Sequence, residues 1–158
     1  MKKYKLTFEL VPEECWYANL RSVLRPEDWD MVRRDAYKRA GYRCSVCGAG
    51  GRMEAHEKWS YDEKLALQKL DDVLALCHNC HLVKHISRTH LFREEGVAME
   101  HFLKVNNCSQ MDYHEALAEV NEEYLRRNKI ENWTTDVSWL KTRFGLEIKP
   151  SYLSSLKK

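Results

Sequence analysis

Two pairs of thiols and three imidazoles carry the chemistry legible in this chain. Cys44-Ser45-Val46-Cys47 and Cys77-His78-Asn79-Cys80 each place two residues between their cysteines, with residues 48 to 76 between the pairs. Two such knuckles converge on one tetrahedral ion, and four thiolates with no open position make a structural zinc site. A site of this kind contributes on the order of 10 kcal/mol of apparent folding free energy. A redox dithiol is the competing explanation, and two separate pairs in one cytosolic chain are hard to account for that way. Cys15 and Cys108 have no nearby partners in the sequence and read as ordinary buried thiols.

His81 follows Cys80 directly, and His85 stands four residues further on. On a helix that spacing turns both rings to one side. With His56 on a preceding strand, the three could hold a second ion that keeps positions open for water and substrate. Roles then separate: Cys44, Cys47, Cys77 and Cys80 hold the fold, while His56, His81 and His85 hold the reacting ion. Mixed imidazole and carboxylate ligands suit magnesium, manganese, nickel or zinc to different degrees.

The elements that must position these groups follow from periodicity. Pro26 suits a first helical position, and Trp29, Val32, Ala36 and Ala40 recur at helical spacing before Gly41, so a helix should lead into the first knuckle. Met53 to Trp59 reads as a strand carrying His56, and Leu70 to Leu76 as a second strand across a polar connection of unassigned structure. Cys77 to Ile86 fits a helix. Two more helical patterns follow, roughly Glu94 to Val105 and Ser109 to Asn128, the second capped by Ser109. Tyr4 to Val11 suits a strand or an extended arm, and Glu13 to Arg25 shows no clear period. Trp133 to Trp139 alternates like a strand, and the tail after Pro150 is expected to be loosely ordered.

Composition bounds the answer. The chain has 158 residues, 44% of them hydrophobic and 32% charged, with a net charge of +2. That fits one domain over residues 1–158, divided into a lead-in and helix (1–40), a metal-binding core (41–90), a helical extension (91–148) and a tail (149–158). No stretch approaches the roughly 18 to 20 apolar residues of a membrane helix, which points to a soluble, cytoplasmic protein with no membrane partner. The overall charge does not by itself indicate nucleic acid. Between Met31 and Arg52, however, Arg33, Arg34, Lys38, Arg39, Arg43 and Arg52 face Asp35 alone.

Tyr42-Arg43-Cys44-Ser45-Val46-Cys47-Gly48, Glu54-Ala55-His56-Glu57 and Leu74-Ala75-Leu76-Cys77-His78-Asn79-Cys80-His81-Leu82-Val83-Lys84-His85 together resemble the HNH endonuclease family, in its zinc-ribbon-stabilised form. The resemblance covers roughly Gly41 to Arg88. It implies an α+β fold with a ββα-metal core, flanked here by an N-terminal helix and a C-terminal helical extension. The activity implied is metal-assisted hydrolysis of nucleic-acid phosphodiester bonds, with DNA the expected substrate. The flanking segments around Asn19 to Trp29 and Trp133 to Trp139 are similar to small bacterial HNH-like proteins.

In that family the first strand ends in a His-His or Asp-His pair, whose first member binds metal and whose second activates water. An Asn five residues before the third cysteine fixes the loop or touches the ion. Here the pair reads His56-Glu57, or Ala55-His56 if shifted by one, and Asp72 stands at the Asn position. In the first alignment His56 is a ligand and Glu57 the base. In the second His56 is the base and Asp72 replaces a lost ligand. The catalytic set the resemblance implies is therefore His56, Glu57, Asp72, His81 and His85, with the base left open between His56 and Glu57.

Arg39, Arg43, Arg52, Lys84 and Arg88 are the residues expected to meet a nucleic-acid backbone. Trp59 and Tyr61 suit core packing better than base stacking, and His78 and Asn79 suit solvent. His90, His101 and His114 have no ligand spacing. The rival reading from another class is a catalytically degenerate zinc module that binds nucleic acid or a protein partner without cutting. A homodimer, or a subunit whose partner chooses the target, fits the same residues.

Overall fold

A computed structural model describes residues 2–157. A three-stranded sheet divides the chain into two packed layers. Strand β1 (Glu54–Asp62) and strand β2 (Leu67–Leu76) form an antiparallel hairpin running from Glu54↔Leu76 to Asp62↔Leu67, with a register shift between Lys58 and Trp59. A short strand β3 (Thr134–Asp136) lies parallel to the start of β2, which leaves β1 at the edge.

Because successive strand residues point to opposite faces, β2 feeds two cores. Leu70 and Val73 pack with helix α1 (Leu20–Val23), helix α2 (Pro26–Arg39), helix α7 (Ser138–Phe144) and helix α8 (Pro150–Ser155), through Leu20, Trp29, Val32, Leu140 and Leu153. Leu76 faces the other way. It packs with helix α3 (His78–Lys84), helix α4 (Ile86–Leu91), helix α5 (Glu95–Asn106) and helix α6 (Gln110–Asn128), around Val83, Phe102 and Tyr113.

Local chemistry sets the helix ends. Helix α2 begins with Pro26 and two acidic residues, ends with Lys38 and Arg39, and is followed by Gly41 at φ 63°. Helix α6 is closed at its start by a capping box between Ser109 and Asp112. At α3 the cap is a thiol: the Cys80 N–H donates to Cys77 Sγ at 3.4 Å, so the second knuckle and the helix start are one structure.

Several expected elements differ. Of the two alternatives for residues 4 to 11, the extended arm is the one observed; it buries Leu6 and Phe8 beside Phe102, and Asn106 bonds both the N–H and the C=O of Leu6. The polar connection between β1 and β2 shrinks to residues 63–66, because both strands extend past their apolar runs. The helix expected from Cys77 to Ile86 breaks at His85 (φ −101°, ψ 51°) and resumes as α4. Only Thr134 to Asp136 of the tryptophan-flanked segment is strand, and Trp139 lies on α7. The tail is helical as far as Ser155 and held by buried Leu153, so it is not loosely ordered over that span.

Candidate metal centres and the arginine-lined cleft

The four knuckle thiols converge. One sulfur from each of Cys44, Cys47, Cys77 and Cys80 lies within 4.8 Å of the others, and none is in a disulfide. Cys47 Sγ and Cys77 Sγ are 3.6 Å apart, close to the ~3.8 Å edge of a tetrahedron with Zn–S bonds of about 2.3 Å. Burial pushes the Cys44 thiol up, but amide N–H groups of Cys47, Cys77 and Val46 outweigh it and bring it to about 7. Cys80 moves the other way, raised by burial and by Cys44 and Cys77 beside it. Four thiolates this close need a cation to ionise together, and the donor set suits structural zinc. His101, from α5, places Nε2 3.1 Å from Cys80 Sγ, where an N–H would donate to a thiolate. This contact has no signal in local spacing, since 20 residues separate the two.

The three imidazoles converge as well. One nitrogen from each of His56, His81 and His85 lies within 4.8 Å of the others. His56 Nδ1 is 3.2 Å from His85 Nε2. The remaining nitrogens of His56 and His81 are held by carboxylates: His56 Nε2 donates to Glu9 Oε2 at 2.5 Å, and His81 Nδ1 donates to Glu54 Oε1 at 2.7 Å. Burial pushes His81 and His85 down, and the neighbouring His56 and His81 carry His85 to about 3, so its ring is neutral at physiological pH. The neutral ring is the metal-ligating form of histidine, and a carboxylate contact of this kind orients a ligating ring, as Glu9 does for His56 and Glu54 for His81.

Strand alternation explains who is included. Glu54 and His56 share one face of β1, toward α3. Glu57 turns away: its Oε1 accepts the Leu20 N–H at 3.0 Å, and its side chain lines an inner cavity of about 380 Å³ with Glu9, His56 and His85. Asp72 lies apart from the trio. Its carboxylate accepts from Arg39 Nη1 at 3.1 Å and from its neighbour's Val73 N–H, it lines neither cavity, and it is not part of the imidazole cluster.

On the other side, His81 and His85 open into a cleft of about 1060 Å³ between α2 and the α3–α4 segment. Its walls carry Arg21, Arg33, Arg52 and Arg88, together with Glu54 and His78. Arg52 and Arg88, two of the residues expected to meet a backbone, thus share one cleft with Arg21 and Arg33. Two other expected backbone contacts are engaged within the chain. Lys84 is 6% exposed and donates to Thr7 Oγ1 and Glu9 Oε1. Arg39 is bound to Asp35, Asp72 and the Val73 carbonyl. Arg43 is exposed but donates to the Gly48 carbonyl at the first knuckle. Trp59 packs against the first core, and Tyr61 meets Trp133 edge-on, as core residues. Among the described residues no helix is long and apolar enough to cross a membrane.

Glu54 was findable, lying two residues from His56 on a strand. Glu9 was not, because it stands 47 positions before the ring it holds. Comparison with family models, with curated proteins and with solved structures gives no match to this chain.

Proposed function

We propose that this protein is a metal-dependent endonuclease with an HNH-like centre, hydrolysing phosphodiester bonds in nucleic acid, with DNA as substrate. The observation that carries the reading is the juxtaposition of the His56, His81 and His85 nitrogens with a cleft whose walls carry four arginines against the carboxylates Asp30, Glu54 and Glu94. Arginine forks bind phosphate oxygens bidentately, so the cleft suits a polyanionic backbone passing over the imidazoles. A divalent ion bound there supplies stabilisation of the charge that builds on the phosphate and the leaving oxygen.

The chain's own residues do the rest. Both nitrogens of His56 are engaged, one with Glu9 and one facing His85, which supports His56 as a ligand and leaves the base to Glu57, on the opposite face of β1. The Leu20 N–H pins one oxygen of Glu57 and leaves the other to orient or deprotonate a water. Arg52 and Arg88 hold the flanking phosphates, and Glu54 fixes the His81 tautomer.

One observation favours a second reading, a degenerate module that binds without cutting: Glu57 faces the inner cavity rather than the arginine-lined cleft. A plasmid-nicking assay across magnesium, manganese, nickel and zinc separates the two. Nicking by the wild type and none by His56→Ala or His81→Ala supports the nuclease. Plasmid binding without nicking under any ion, by a folded zinc-loaded chain, supports the module.

A further inference from the structure

The N-terminal arm reaches the imidazole cluster through one side chain. Glu9 Oε2 accepts from His56 Nε2 at 2.5 Å, while Glu9 Oε1 accepts from Lys84 Nζ at 3.1 Å. Lys84 Nζ is itself tied to Thr7 Oγ1 at 2.8 Å, and the Glu9 N–H donates to the Lys84 carbonyl at 3.1 Å. Lys84 is buried and charged, so it requires a partner, and Glu9 is its ion-pair partner. Glu9 is thereby fixed from both sides, by the arm and by α3, with one oxygen left for the ring.

We propose that Glu9 is a positioning residue for the imidazole centre: by accepting from His56 Nε2–H it holds that ring with Nδ1 turned toward His81 and His85. The inference rests on the reading of the trio as an ion site. A ring free to flip or change tautomer would present Nδ1 to the other two only part of the time, and ion affinity falls with that fraction.

The test uses the full chain with its thiolate site loaded with zinc, titrated with nickel by calorimetry, and a parallel nitrogen NMR spectrum of the His56 ring without nickel. Glu9→Ala should weaken nickel binding by about 10- to 100-fold. Glu9→Gln, which keeps an acceptor but loses the charge, should lie between it and the wild type. Asn106→Ala loosens the arm at Leu6 without touching Glu9 and should leave affinity within about twofold, separating positioning from arm docking. The His56 ring should be the Nε2–H form in the wild type and lose that preference in Glu9→Ala. Wild-type affinity in both Glu9 variants, or an Nδ1–H form of His56 in the wild type, overturns the inference while leaving the nuclease reading in place. No nickel bound at the trio by the wild type overturns both.

Discussion

Arg39 Nη1 lies 3.1 Å from Asp72 Oδ1, so two residues whose positions in the sequence suggested separate roles at the site are paired with each other. The pair instead ties the C-terminal end of α2 to β2, with Arg39 also bound to Asp35 and to the Val73 carbonyl. Asp72→Asn should therefore leave ion binding and cleavage within about twofold of wild type. Arg39→Ala should lower stability by about 1 kcal/mol, since the groups are partly exposed and water screens them. Urea titrations beside a nicking assay check both; a large loss of cleavage in Asp72→Asn would return that residue to the site.

Cys77 joins two roles, thiolate ligand and cap of α3. Cys77→Ser should leave the chain without zinc and unfolded, because a loss on the order of 10 kcal/mol matches the whole stability of a typical domain. His81→Ala removes no thiolate and should keep one zinc per chain and a cooperative melt. Zinc content and circular dichroism on the two variants distinguish a structural from a reacting centre.

Acid should weaken the join between α7 and α2. Hydrogen bonding from Arg143 holds the Asp35 carboxyl below its usual value; burial opposes this, and Arg39 adds to it. A carboxyl lowered in the folded state contributes stability above its unfolded pKa of about 3.9, and that contribution disappears as pH falls through the folded value. Asp35→Asn should thus cost about 0.5 to 1 kcal/mol near neutrality, discounted for exposure, and nothing at the acid end. Stability curves for wild type and variant should converge as pH drops below about 4; parallel curves would contradict the assignment.

Nucleic-acid affinity should fall with salt, and Arg52 and Arg88 should each account for part of the slope. Neither donates in a hydrogen bond or ion pair among the described residues, whereas Arg33 is bound to Asp30. Arg52→Ala and Arg88→Ala should each reduce the slope of log affinity against log salt by about one. Arg43→Ala should change it less, because that side chain is spent on the Gly48 carbonyl. Fluorescence anisotropy with a labelled duplex at several salt concentrations reads the slopes directly.

What the sequence disclosed was local. Cysteine spacing within each knuckle, the i, i+4 relation of His81 and His85 and the Ser109 cap are short-range, and each corresponds to an observed group or element. Pleat alternation also explains why Glu54 joins His56 and Glu57 does not, once the face toward α3 is known. What stayed hidden depends on the fold closing. Glu9 and His101 reach their partners across long stretches of chain, and Lys84 looked like a surface cation until the arm covered it. The tail failed for another reason: Pro150 reads as a break, yet it starts a helix whose Leu153 is buried in the first core.

The central claim is that the chain carries two metal centres, one of thiolates and one of imidazoles, with separate roles. A cobalt titration of the metal-free chain tests it most directly, because thiolate ligation gives an intense charge-transfer band that imidazole ligation lacks. Two equivalents should bind the wild type, only one of them with that band, and His81→Ala should lose only the other. A single equivalent in the wild type, or loss of the thiolate band in His81→Ala, would contradict the account.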